Sequence, residues 1–186
     1  ILEASWGGFF PTYCGDAAKP EKLLEGLGQR NAIEATGIKP YACCRGSHAS
    51  IDALLQVMRE HGLVTAQIER IVVHCPAHTV RLVGGREVGS VLEAQMSLPY
   101  ALAVTACSGR ADLPQFDPVR TGEDEIRRLM AATRLEADRP ADDMEGPLLE
   151  VFLTDGQALR GQVPYAKGHP TNPLSDAEVH AKAESL

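Results

Sequence analysis

The chain has 186 residues, 44% of them apolar, enough for one sizeable core or one core with an appendage. Its formal net charge of −7 argues against a surface that wraps nucleic acid or lies on anionic lipid. No apolar run approaches the length of a membrane span.

Five cysteines (Cys14, Cys43, Cys44, Cys75 and Cys107), two of them adjacent, make a poor disulfide framework, so a reducing, cytoplasmic setting is expected. The opening Ile1-Leu2-Glu3 has neither an initiator Met nor a signal-peptide pattern, so the chain reads as a fragment. Residues 1–18, with Phe9, Phe10, Pro11 and three glycines, read as a loop carrying aromatic anchors. Pro20–Leu27 reads as a short helix with Leu23, Leu24 and Leu27 on one side and Gly28 at its end. Residues 29–37 read as a short strand.

That strand leads into Lys39-Pro40-Tyr41-Ala42-Cys43-Cys44-Arg45-Gly46-Ser47-His48. Ile51, Leu54, Leu55 and Met58 follow at three- and four-residue spacing, which predicts a helix from about His48 to His61, stopped by Gly62. Ser47 suits its N-cap. Ile68–Cys75 is β-branched, bounded by Pro76, and reads as a strand. Residues 77–90 read as a loop bearing Arg81, Gly84, Gly85, Arg86 and Gly89, with Arg86 a candidate to close on an anion. Pro99–Cys107 is nearly all apolar and predicts a buried helix, with Pro99 in its first turn and Gly109 ending it. Leu113–Phe116 is a connector, and Glu123–Thr133 a helix with Ile126, Leu129 and Met130 inward. Leu148–Leu159 reads as a hairpin turning at Asp155-Gly156, and Gln162 and Val163 extend its second strand. Tyr165–Asn172 is a loop with Lys167 and His169, and Ser175 and Glu178 form a capping box for a last helix. Strand, helix and strand in this order suggest a sheet with helices on one or both faces.

The chemistry concentrates at Lys39–His48. A helix start favours an anion, Arg45 adds charge, and Gly46 allows a tight turn. A carboxylate-handling edge of an active site and a decorated strand-to-helix connection both fit. Lys39 precedes Pro40, which biases its backbone to an extended shape. His48 at a helix start loses proton affinity to the dipole and serves as a neutral base or acceptor. Cys44 is a third polar or nucleophilic group. The bland counterparts are an exposed lysine and a packed histidine. Adjacent cysteines rarely share a metal, and neither Cys-x2-Cys nor His-Glu-x-x-His occurs, so no metal site is expected. Neither a Gly-x-Gly-x-x-Gly nor a Walker sequence occurs.

The stretch Lys39–His48 and the helix after it resemble the MmgE/PrpD family, which includes 2-methylcitrate dehydratase, cis-aconitate decarboxylase and iminodisuccinate epimerase. The resemblance continues at Val72-Val73-His74-Cys75-Pro76. Glu93-Ala94-Gln95-Met96-Ser97-Leu98-Pro99-Tyr100 is similar to the family's Glu-Ala-Lys-Phe-Ser-Leu-Pro-Tyr signature, with Gln95 in place of the usual Lys. Gly168-His169-Pro170-Thr171-Asn172-Pro173-Leu174-Ser175 is similar to the loop before the family's last helical segment.

The resemblance implies an α+β lid domain over residues 1–160, with a mixed or antiparallel sheet and packed helices. Residues 161–186 are then a loop and the start of a return into a helical domain. It implies an active site in the cleft between the two, the helical side supplying an Asp, a His and another Lys from outside this chain. On this chain Lys39, Cys44 and His48 are the expected catalytic positions, and Tyr41, Arg45, Ser47 and Arg86 the expected substrate-binding ones. Cys44 departs from members that place a His there. Tyr100 and His169 match motif positions without an assigned role. The implied activity is a hydro-lyase of the 2-methylcitrate dehydratase type, using cofactor-free acid–base catalysis on small hydroxy-polycarboxylates. An isomerase, epimerase or decarboxylase is the same-site alternative, and a non-catalytic binding or subunit-pairing module the alternative of another class. Expected partners are the anionic carboxylate substrate and either a second copy or a chain carrying the helical half.

Overall fold

Residues 2–29, 31–142 and 145–185 are described by the structure, a computed structural model. They divide between Thr36 and Gly37 into two units. The first holds helix α1 (Phe9–Tyr13) and 3-10 turns at Gly15–Ala17, Pro20–Leu23 and Ala32–Ala35. Three expectations change here. Residues 1–18 are not all loop, since α1 forms and buries Phe10. The helix expected over Pro20–Leu27 is a 3-10 turn that stops at Leu23, and Leu23, Leu24 and Leu27 are exposed. A short helix with no apolar face to bury does not offset its nucleation cost. Among the described residues of 29–37 the expected strand is absent: Asn31 donates from its side chain to Glu34 at 3.0 Å and accepts the Glu34 amide at 3.0 Å. Those local bonds compete with an extended backbone.

The second unit begins with the extended stretch 37–44 and a 3-10 turn, Arg45–Ser47, and runs into α2 (His48–His61). Strand β1 (Ile68–Pro76) follows, then α3 (Ala77–Val83), α4 (Val91–Gln95), α5 (Leu98–Ser108) and α6 (Asp124–Ala132). Next come β2 (Thr133–Arg139), β3 (Leu148–Leu153), β4 (Ala158–Gln162) and α7 (Asp176–Glu184). The expected loop at 77–90 therefore contains a helix, α3, where the chain leaves the sheet at Pro76.

The strands lie in the order β2-β1-β3-β4. β1 and β2 are parallel, and the other two pairs are antiparallel. The sheet is mixed and the fold is α+β, as expected. Parallel pairing needs a long crossover, which α3 to α6 provide. β2 was not foreseen, because Arg134, Glu136, Asp138 and Arg139 mask it; its place at the edge explains the charges.

Alternation divides the sheet into two faces. Ile71, Val73, Cys75, Leu149, Val151 and Leu153 are buried on one, where α2, α5 and α6 pack. α5 is buried from Leu98 to Ala106, as an all-round apolar helix must be. α2 contributes Ile51, Ala53, Leu54 and Val57, and α6 contributes Ile126 and Leu129. Leu55, Met58 and Met130 are only half-buried. Left-handed Gly62 and Gly109 end α2 and α5. The opposite face carries Arg70, His74, Glu150, Phe152 and Arg160, with the Arg70 guanidinium 3.5 Å above the Phe152 ring. Among the described residues no helix is long and apolar enough to cross a membrane.

Candidate functional site

The stretch 37–44 is pinned on three sides. The Ala42 amide donates to the Ala111 carbonyl at 3.0 Å and the Cys44 amide to the Gln95 carbonyl at 2.9 Å. The loop 165–172 crosses just before Lys39. Gly168 has φ of 77°, and a Cβ there would lie 1.8 Å from the Ile38 carbonyl oxygen, so only glycine allows this crossing.

Behind the stretch, polar groups are paired. The Cys43 carbonyl accepts from Lys39 Nζ at 3.3 Å and from His48 Nε2 at 3.3 Å. Arg45 Nη1 donates to His48 Nδ1 at 3.3 Å and to the Lys167 carbonyl at 3.1 Å. A carbonyl only accepts and a guanidinium only donates, so Nε2 carries the ring proton and Nδ1 is bare. His48 is thus neutral. Burial pushes its pKa down to about 4, and the Arg45 and Lys39 charges act the same way, against the Cys43 carbonyl. The expected loss of proton affinity is present, but burial rather than the helix dipole is its largest cause. The ring is wholly buried.

Tyr41 donates its hydroxyl to Asp52 Oδ1, and Asp52 Oδ2 accepts the Lys167 amide at 2.6 Å. Burial, then Asp52, holds the Tyr41 hydroxyl far above its ordinary pKa. Lys167 Nζ pairs with Glu178 of α7 at 3.0 Å. Ser47 sits at the N-cap position of α2, but its hydroxyl makes no cap bond and has no partner among the described residues. The 3-10 turn gives it helical angles (φ −93°, ψ −18°) instead of the extended geometry that aims a cap.

In front of the stretch is a cavity of about 440 Å³, bordered by Lys39, Tyr41, Cys44, Gln95, Met96, Leu113 and Lys182. A groove of about 290 Å³ shares Tyr41 and Lys182 with it, and adds Arg110, Asp112, Lys167 and Glu178. Cys43, beside Cys44, is a thiol pushed up to about 12 by burial.

The structure therefore brings Lys39, Tyr41 and Cys44 to one cavity, with Arg45, Ser47 and His48 behind its wall. Arg86 lies elsewhere, donating to the Met130 carbonyl at 2.7 Å and to the Thr133 carbonyl, where α6 passes into β2. Tyr100 is buried, and its hydroxyl lies 2.9 Å from the Gln115 carbonyl and 2.7 Å from that of Asp117. His169 stacks on Tyr165, centroids 4.8 Å apart, and accepts the Thr171 amide at 3.1 Å. Asp52 and Lys182 were not singled out from sequence, and Lys167 was noted as a loop residue without a site role. The available signal for Lys182 was its place one turn beyond Glu178 of the capping box. Among the described residues no group of three or more His, Cys, Asp or Glu is arranged to hold a metal ion.

The model of the MmgE/PrpD C-terminal domain matches residues 41–186. The cis-aconitate decarboxylase-like protein oryM of Aspergillus oryzae is similar to the chain, with 27% identity over 203 aligned residues. The match covers 100% of this chain and 42% of that protein, so the chain spans less than half of this curated relative.

Proposed function

This chain belongs to the MmgE/PrpD family, and from that premise we propose that it supplies the lid side of a hydro-lyase active site of the 2-methylcitrate dehydratase type. The substrates are small hydroxy-polycarboxylates, and the chemistry is acid–base catalysis without a cofactor. The observation that carries the reading is the cavity bordered by Lys39 and Cys44 in front of a backing in which Lys39 and His48 both hold the Cys43 carbonyl.

Removing water from a hydroxy acid needs a base for the proton α to a carboxylate, an acid for the departing hydroxide, and cations for the carboxylates. Lys39 fits the last task. One contact to the Cys43 carbonyl at 3.3 Å steers the ammonium and leaves two of its three donors for a carboxylate. Neutral His48 holds the same carbonyl from behind and adds no competing charge. Cys44 offers its sulfur to the cavity, a weaker donor than an imidazole. The base and acid come from residues outside this chain, from the rest of a longer polypeptide or a partner chain, in a cytoplasmic enzyme that assembles as an oligomer.

Similarity to the cis-aconitate decarboxylase-like protein of Aspergillus oryzae favours a second reading, decarboxylation of a cis-aconitate-like acid. Loss of carbon dioxide leaves charge on the same carbon, so the same cation serves. Cys44 in place of a His counts against identical chemistry. The test is to assay the natural protein that contains this chain with 2-methylcitrate, citrate and cis-aconitate, beside its Lys39→Met variant. Dehydration that falls in the variant supports the first reading. Carbon dioxide release from cis-aconitate without dehydration selects the second. A folded protein inert on all three sinks both.

A further inference from the structure

We propose that Lys182 of α7 is a second substrate-holding cation of this cavity, so that the site is complete only when α7 is seated against residues 39–44. This deepens the carboxylate reading above and rests on it. Four other cations near the cavity are Lys39, Arg45, Arg110 and Lys167. Arg45 is committed to His48 and to the Lys167 and Ala166 carbonyls. Lys167 is paired with Glu178, and Arg110 with Asp112. Lys182 borders both the cavity and the adjoining groove, and among the described residues its ammonium makes no hydrogen bond or ion pair.

The helix is phased to present it. Glu178, Ala181, Lys182 and Ser185 line the groove at the i, i+3, i+4, i+7 spacing of one face. That face is registered at two points. The Ser175–Glu178 capping box starts α7, and Glu178 also reaches Lys167, whose amide and carbonyl are held by Asp52 and Arg45. Helical geometry then sets Lys182 one turn beyond Glu178. Two ammonium groups on one cavity with Leu92, Met96 and Leu113 in its wall repel each other, and a ligand with two or more carboxylates relieves that repulsion. The charge of Lys182 reaches the site, since together with Lys39 it disfavours protonation of His48.

The experiment is steady-state kinetics on the natural protein that contains this chain, comparing wild type with Lys182→Met and Lys182→Arg. Binding of tricarballylate, an unreactive tricarboxylate, is followed in parallel by calorimetry. Met keeps the alkyl stem and so keeps α7 packed; melting temperature checks this. The expected result is a KM raised about tenfold or more in Lys182→Met, a smaller effect on kcat, and recovery with Arg. Tricarballylate affinity falls in step. A KM and an affinity within twofold of wild type in Lys182→Met overturn the proposal. If wild type turns over no polycarboxylate, tricarballylate separates the two ideas. Binding lost in Lys182→Met retains the cation role and rejects the proposed reaction, whereas no binding to wild type rejects both.

Discussion

His48, at the start of α2, and His74, on the outer face of β1, are the same ring in settings that favour different protonation states. His48 is buried between a carbonyl and a guanidinium, and the guanidinium, which only donates, demands a bare ring nitrogen and so a neutral ring. His74 has Asp138 Oδ2 2.6 Å from Nδ1 and Glu150 Oε2 3.2 Å from Nε2. Two carboxylates accept only, so His74 is satisfied as the imidazolium. Its pKa is raised, chiefly by Asp138, with Glu150 adding and burial opposing. The difference lies in what each environment can lose. The His48 ring is itself wholly buried, whereas Asp138 beside His74 is half-exposed and leaves solvent at hand to replace a lost partner.

The largest expected break is therefore at His48. His48→Ala should cost about 3 kcal/mol in a denaturant titration, because it opens a cavity and leaves the Cys43 carbonyl with Lys39 Nζ as its one remaining donor of the two. A cost under about 1 kcal/mol would show that the backing is not buried as described. Acid should reproduce part of this. His48 titrates near 6.5 when unfolded and at about 4 when folded. Its contribution is present above pH 6.5 and is lost as pH falls through 4, ~3 kcal/mol over that window. Melting temperature against pH in wild type and His48→Gln measures it; equal acid limbs would refute it.

Asp52→Ala should cost about 2 kcal/mol, since it unpairs both the Tyr41 hydroxyl and the Lys167 amide. It should also release the loop that seats α7, seen as faster hydrogen exchange at Lys167. His74→Gln should cost only about 0.5–1 kcal/mol at neutral pH. Its sign on pH is the reverse of His48. The folded pKa is raised, so the stabilisation is present below pH 6.5 and disappears as pH rises through the folded value. A wild-type alkaline limb no steeper than that of His74→Gln would contradict the bridge. Smallest in stability is Lys39→Met, within about 0.5 kcal/mol because the side chain is exposed, yet it should weaken tricarballylate binding about tenfold.

Elements with their own periodicity and punctuation could be read directly from the chain. The helix after His48 runs from His48 to His61 as its apolar spacing and Gly62 dictate. The apolar run at Pro99, the alternation of Leu149, Val151 and Leu153, and the Ser175–Glu178 box behaved alike, since each is decided by neighbours within a few residues. The motif stretch was equally visible, and Lys39 and Cys44 do border one cavity.

Tertiary structure decided the rest. β2 is a strand because β1 offers it a ladder, not because Thr133–Arg139 has a strand pattern. Arg86 looked like a free cation, but it lies within reach of the carbonyls of Met130 and Thr133, 44 and 47 residues away. Lys182 was one more charge on a polar helix until folding set that helix beside the cavity. Sequence determines the local hydrogen bonds and apolar spacing that start and stop an element. Which side chains share a cavity, and which charges are already paired, depends on contacts between distant segments, and those exist only once the core has formed.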